Sequence, residues 1–214
     1  METVMNAMAR LRVYDPVKDP ALKMEVLILE AIEGSREAFE RLMDMFHRDI
    51  FRMVFFRIRS QMDAEDITQD VFLQAFKHIG GLKKIEHFKA WLYRIAVNKT
   101  RDYYRKKKLR SLISFFSEND ETGDNSREIF ESALQDPLKD TINKEFWHQF
   151  SVSLDRLSKL EKEVFLLRFI DQLGLNEIAR TLSKSESTIK TSLYRALAKI
   201  RKDKDLKRFC SMES

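Results

Sequence analysis

A chain of 214 residues that is 43% hydrophobic can bury the core of one medium domain or two small ones, and with five glycines and three prolines it favours helix over sheet. Its 39 Lys and Arg against 34 Asp and Glu leave a net charge of +5, so local fields are strong and a pI near 9.2 is compatible with a nucleic-acid partner. One cysteine, Cys210, excludes an internal disulfide framework and a cysteine-based zinc site, and no run of about 18 apolar residues reads as a membrane span, so no membrane insertion is expected and the cytoplasm is the default location.

Residues 1–20 end in YDPVKDP, whose two prolines make them a lead-in. Residues 21–34 have helical periodicity and stop at Gly34. Ser35 then caps a long amphipathic helix with Phe39, Leu42, Met43, Phe46, Ile50, Met53 and Val54 on one face. Asp63 is the expected N-cap of the next helix. There Ile67, Val71, Phe72, Ala75, Phe76 and Ile79 are apolar, and Asp66, Gln69 and Asp70 stay polar. The segment GGLKKIEH, 80–87, reads as a loop. From Phe88 another helix runs through KAWLYRIAVNKTRDYYRKKKLR and becomes steadily more basic. These helices make a first domain, 21–110. Residues 111–137 read as a flexible acidic linker.

A second domain is expected over 138–204, with a tail at 205–214. Its first helix is KDTINKEFWHQFSVSLDRL. The next, SKLEKEVFLLRFI, opens with Ser158 and Glu161 in capping-box spacing. GLNEIARTL is a short third, and a fourth starts with Ser185 as N-cap. No strand signal and no internal repeat occur. The fold class is therefore all-α: two small helical domains joined by a flexible acidic linker.

The last two helices have helix-turn-helix spacing, in which the second lies in the DNA major groove. Ile178 and Leu182 can meet Ile189 and Leu193 across the turn. Ser185, Glu186, Ser187, Thr188, Lys190, Thr191 and Arg195 supply short polar side chains and long donors at the tip, and Arg201, Lys202 and Lys204 neutralise phosphate. The alternative is a plain helical hairpin with a solvated charged face. In the first domain, Lys99, Arg101, Lys106, Lys107, Lys108 and Arg110 form a basic strip with Tyr103 and Tyr104 interleaved. Aromatics beside cations suit unpaired bases; Trp91 and Ile95, taken singly, read as core. His47, His78, His87 and His148 are scattered. No nucleophile–base pair, metal cluster or Gly-rich phosphate loop is visible, so no catalytic residue, metal or cofactor is expected and the chain does not read as an enzyme.

Two stretches then carry a resemblance. DAEDITQDVFLQAFKHI followed by HFKAWLYRIAVNKTRDYYRKK resembles region 2 of bacterial RNA polymerase sigma factors of the sigma-70 family. LSKLEKEVFLLRFIDQLGLNEIARTLSKSESTIKTSLYRALAKIRK resembles their region 4. A short chain with only these two regions is similar to the extracytoplasmic-function (ECF) group. The resemblance covers about residues 35–108 and 140–202 and implies binding to core RNA polymerase and promoter DNA, with an anti-sigma factor as a further partner. It implies that Asp66, Gln69, Asp70 and Phe72 dock on the clamp helices of the polymerase large subunit. Lys83, Lys84, His87, Phe88, Trp91 and Arg94 then correspond to the reader of the −10 element, where a base is flipped into a pocket. Asn98, Lys99 and Arg101 would hold phosphates or duplex edges. Ser185, Glu186, Ser187, Thr188, Lys190, Thr191 and Arg195 would read the −35 element. Two residues depart from the family pattern: Ser187 stands for the usual glycine, and Ser192 for an arginine, which removes one phosphate or base contact. Glu118, Asp120, Glu121 and Asp124 of the linker would thread the polymerase cleft. The competing reading is a two-domain helix-turn-helix regulator that acts without core polymerase.

Overall fold

The computed structural model describes residues 20–115, 150 and 152–202. These are helical, with no strand among the described residues, and they divide into two units between residues 118 and 119. The expected lead-in, most of the linker, the bulk of the helix expected from Lys139 and the tail lie outside the described residues.

The first unit begins with α1, Pro20–Ile32, which buries Leu27, Ile28, Leu29 and Ala31. Gly34 has φ +101, a left-handed conformation that costs glycine little, and it turns the chain so that Ser35 N–H donates to Glu30 O at 2.9 Å. Ser35 Oγ then accepts from Ala38 N–H, the expected cap of α2, Arg36–Ile58. Helix α2 is central and packs against α1, α3 and α4. Of its expected apolar face all but Met43 are buried.

Helix α3, Gln61–His78, starts earlier than the sequence predicts. Arg59 adopts a left-handed conformation and closes α2 by donating to Phe55 O, and the extended residue that follows, Ser60, is the N-cap. Its hydroxyl accepts from Asp63 N–H at 3.4 Å. Asp63 therefore sits inside the first turn, and its carboxylate accepts the Tyr103 hydroxyl at 2.9 Å instead of capping the helix. Two short 3-10 turns, Ile79–Gly81 and Ile85–His87, bracket Lys83 and Lys84 where a plain loop is predicted. Helix α4, Phe88–Phe115, then continues five residues into the stretch predicted as linker. Fully buried Ile28, Leu42, Ile50, Met53, Val54, Val71, Leu92 and Tyr93 make the centre of this unit. Each such aliphatic side chain contributes roughly 1.5–3 kcal/mol by leaving water.

The second unit contains helical residues 152–155, then α5, Lys159–Phe169, α6, Leu175–Leu182, and α7, Glu186–Arg201. Leu154, Leu157, Phe165, Leu166 and Ala196 form its core, with Phe150, Ile170, Leu197 and Ile200 packed against it. The predicted capping box is present in both directions: Glu161 N–H donates to Ser158 Oγ, and Ser158 N–H donates to Glu161 Oε2. The same carboxylate takes Lys199 Nζ at 2.6 Å, which ties the start of α5 to the end of α7.

The Lys199 hydrogen bond, followed by that of Ser158 N–H, holds the Glu161 carboxyl below its ordinary value of 4.5. A carboxyl lowered on folding contributes stability above its unfolded pKa and loses it as pH falls through the lower folded one. Glu161→Gln keeps an acceptor for the cap but not the charge. It is expected to cost about 1 kcal/mol at neutral pH, and the difference from wild type should shrink as pH falls below that ordinary value and vanish only below the lowered folded one. Thermal melts of both proteins across pH check this. An equal deficit at all pH values would show that the charge is not the stabilising element.

Candidate docking and nucleic-acid surfaces

Helix α3 presents one outward row. Met62, Asp66, Gln69, Leu73 and Phe76 fall at i, i+4, i+7, i+11 and i+14, which stacks them on one side of a helix. The apolar members are well exposed: Met62 by 73%, Leu73 by 58% and Phe76 by 47%. Phe76, one of the apolar residues expected on this helix, meets the Phe39 ring edge-on at 5.1 Å. Asp70 is exposed at the rim of the row. Phe72, the fourth predicted docking residue, is not on it. It is buried, with its ring stacked 6.0 Å from His47. One residue is about 100° of helix, so Phe72 turns toward α2 where Leu73 turns to water. The sequence reading missed Met62 and Leu73. The available signal was an excess: apolar residues at 71, 72, 73, 75 and 76 are more than one buried face can hold.

On α4, Trp91, Arg94, Asn98 and Arg101 fall at i, i+3, i+7 and i+10 and form a second row, continued by Arg105. Trp91 is half-buried and the other four are exposed. Lys83 and Lys84 are exposed just before this helix, and His87 is half-buried. Phe88 is a correction: it is 2% exposed and packs edge-on against Phe46 at 5.5 Å, with Trp91 covering it at 5.8 Å. It belongs to the core, and the accessible ring is that of Trp91. Lys99 lies about a third of a turn away from the row, where its ammonium meets Asp70. The two tyrosines read as base-stacking residues are engaged instead. Tyr103 donates to Asp63, and Tyr104 donates to Arg57 O. They anchor α4 to the junction of α2 and α3. Arg101 before them, and Arg105, Lys106, Lys107 and Lys108 beyond them, remain exposed.

In the second unit, Ser183 adopts a left-handed conformation at the end of α6, and Ser185 caps α7 by accepting from Thr188 N–H at 3.2 Å. Ile178 and Ile189 are fully buried and Leu182 nearly so, which fixes α6 on α7; Leu193 is half-buried. Ser185, Ser187, Lys190, Thr191 and Arg195 are exposed, and Glu186 and Thr188 are half-exposed. Glu186 and Lys190 form an ion pair at 2.7 Å, whose hydrogen bond raises the lysine above its ordinary pKa. Tyr194, unassigned by the sequence reading, is 72% exposed in the middle of this outer surface. Ser192 is a second correction, because at 7% exposure it faces the interior. The serine hydroxyl itself is therefore not part of the outer surface.

Among the described residues, no group of three His, Cys, Asp or Glu is placed to hold a metal, and no helix is long and apolar enough to cross a membrane. Residues 42–110 match the family model for sigma-70 region 2, and residues 148–200 match that for sigma-70 region 4. The chain is 34% identical over 155 residues to the RNA polymerase sigma factor SigV of Bacillus subtilis, covering 72% of this chain and 83% of that one. It is 27% identical to the ECF RNA polymerase sigma factor SigW of the same organism, over 84% and 97% of the two chains. Against the ECF RNA polymerase sigma factor BldN of Streptomyces coelicolor it is 30% identical over 84% of its own length, and it spans 64% of that relative. Two solved structures share the fold. CnrH in complex with the cytosolic domain of CnrY has a TM-score of 0.60 at 21% identity, covering 89% of this chain and 99% of that one. The sigma factor RpoE of Bartonella quintana in complex with the anti-sigma factor NepR has 0.59 at 16%, covering 82% and 98%. With both regions matched in order, and a relative more than 30% identical over most of its length, the chain belongs to the sigma-70 family of RNA polymerase sigma factors, in its ECF group.

Proposed function

We propose that this sigma factor docks on core RNA polymerase through the α3 row, captures the melted −10 strand with the α4 row, and reads the −35 duplex with the outer surface of α7. The observation that carries this reading is the α3 row itself. Three large apolar side chains stand in water around Asp66 and Gln69, on a helix whose other exposed residues are polar. Apolar groups rimmed by polar ones mark a surface that a partner covers. Trp91 supplies an accessible ring beside Arg94, Asn98 and Arg101, the combination that stacks an unpaired base while cations hold its backbone. The α7 surface combines short hydroxyls, two long cations and one aromatic ring, which suits phosphate contacts at the rim and base edges at the centre. The domains would then be a docking and −10 unit over 21–110 and a −35 unit over 138–204. Because core polymerase and promoter DNA are its partners, the protein would act in the cytoplasm as an initiation factor with no catalysis of its own. An anti-sigma factor, by analogy with the NepR complex of the Bartonella relative, would cover the same docking surfaces.

In vitro transcription with core polymerase on a promoter library tests the whole reading. Transcripts from promoters sharing −10 and −35 elements are expected only when the protein is added. Sequence-specific protection by the free protein, with no transcripts, would overturn it. A narrower test addresses α7. Arg195→Ala should weaken closed-complex binding and make the salt dependence shallower by about 0.9, the value of one duplex phosphate contact. Tyr194→Ala should weaken binding without changing that slope, because a ring releases no counterion. Fluorescence titrations at several salt concentrations separate the two, and an unchanged slope for Arg195→Ala removes it from the phosphate contacts.

A further inference from the structure

Asp70 stands at the rim of the α3 row, and its Oδ2 accepts a hydrogen bond from Lys99 Nζ on α4 at 3.1 Å. Seven residues earlier on α3, Asp63 takes the hydroxyl of Tyr103, four residues later on α4. The numbers run in opposite senses, so these are two rungs of one antiparallel seam. Asp66 lies between the rungs, in the outward row, and has no ion pair among the described residues. The seam therefore joins the docking row of one helix to the helix that carries the DNA row.

The two rungs differ in strength. Tyr103 and Asp63 make a part-buried contact. The Asp70 side chain is 58% exposed and that of Lys99 28%. Exposed ion pairs shift an equilibrium by about fivefold at most, so this rung opens easily while the other keeps the helices in register. A planar guanidinium can also engage both carboxylate oxygens through two parallel N–H bonds, a fit that a lysine ammonium lacks. Asp70 is thus held in the free protein by a weak ligand and accessible to a stronger one. Lys99 is one residue from Asn98 in the DNA row, and its flexible stem lets the released ammonium turn toward that side.

We propose that Asp70 and Lys99 form an exchangeable ion pair that couples docking to DNA binding: a guanidinium of the polymerase takes Asp70, and Lys99 passes to a phosphate of the promoter strand. This rests on the surfaces assigned under the proposed function. In the free protein the pair masks both groups, so the exchange lowers affinity for either partner alone and restores it when both are present.

The test is a cycle on the full chain with Lys99→Met, Asp70→Asn and the double variant, read by titration against core polymerase. Lys99→Met unmasks Asp70 and is expected to tighten core binding by about two- to fivefold, and to do nothing in the Asp70→Asn background. Weaker core binding by Lys99→Met, or an equal effect in both backgrounds, overturns the exchange. The second measurement is the salt dependence of binding to a single-stranded oligonucleotide. Lys99→Met should make the slope shallower by about 0.7 in the holoenzyme, one phosphate contact, and leave it unchanged in the free protein. The same change in both states, or in neither, overturns the release of Lys99. Leu73→Lys separates this proposal from the reading beneath it. Core binding lost on Leu73→Lys, with none of the Lys99 effects, leaves the docking row standing and removes the exchange. Core binding kept on Leu73→Lys removes the docking row and the exchange with it.

Discussion

Asp66→Lys combined with Leu73→Lys is expected to abolish co-purification with core RNA polymerase while leaving helicity and melting temperature close to wild type. Both side chains point to water from the same row of α3, and neither is in the core. Surface substitutions of this kind usually change stability by no more than about 0.5 kcal/mol. Their effect on binding is of another size. Burying an unpaired lysine where an apolar side chain or a carboxylate was met costs about 2 kcal/mol or more at each position. Two such losses amount to roughly a thousandfold in affinity, enough to empty a pull-down. Phe72→Ala provides the contrast. Phe72 is buried against His47, so truncating it should cost roughly 3–5 kcal/mol of folding stability, and any lost binding would follow the fraction unfolded. If the Asp66→Lys, Leu73→Lys protein is folded and still co-purifies at wild-type level, the α3 row is not the docking surface.

The pair Phe72 and Leu73 shows what the sequence could and could not tell. Periodicity identified α3 as a helix and set its polar residues apart. It did not say which of two adjacent apolar residues the neighbouring helix would cover, because that depends on where α2 crosses. The caps were more legible. Ser35, Ser158 with Glu161, and Ser185 each act where predicted, since a cap is decided by residues three apart in the chain. Asp63 failed as a cap because Ser60 had the same chemistry one turn earlier and followed a left-handed residue that had already ended α2. The Tyr103 contact with Asp63 and the Lys99 contact with Asp70 span 40 and 29 residues. No local pattern encodes such pairs, so a tyrosine in a basic run read as a base-stacking residue although its hydroxyl was committed elsewhere. Ser192 is the same lesson at the second unit: comparison with a motif finds a missing arginine, and only the packing of α7 shows that the position faces inward.

Trp91→Ala is expected to fold and to bind promoter in the closed state, but to open it poorly. Near its start α4 is buried on most sides: Phe88, Ala90, Leu92, Tyr93, Ile95, Ala96 and Val97 are all within the core. Trp91 and Arg94 escape between them, and Trp91 alone offers a large ring to the DNA row. Stacking of one base on an aromatic side chain contributes roughly 1–3 kcal/mol. Its loss should lower open-complex formation by about ten- to a hundredfold, read as permanganate reactivity of unpaired thymines, with closed-complex affinity nearly unchanged. Phe88→Ala should behave differently although it lies three residues away. Its ring is packed between Phe46 and Trp91, and removing it should destabilise the unit by roughly 3–5 kcal/mol, so that core binding, closed-complex binding and melting fall together. Trp91→Phe keeps a ring at the same position and should recover most of the opening. A folded Trp91→Ala protein that opens promoters as well as wild type would remove Trp91 from base capture and move that role to Lys83, Lys84 and His87, which precede it in the chain.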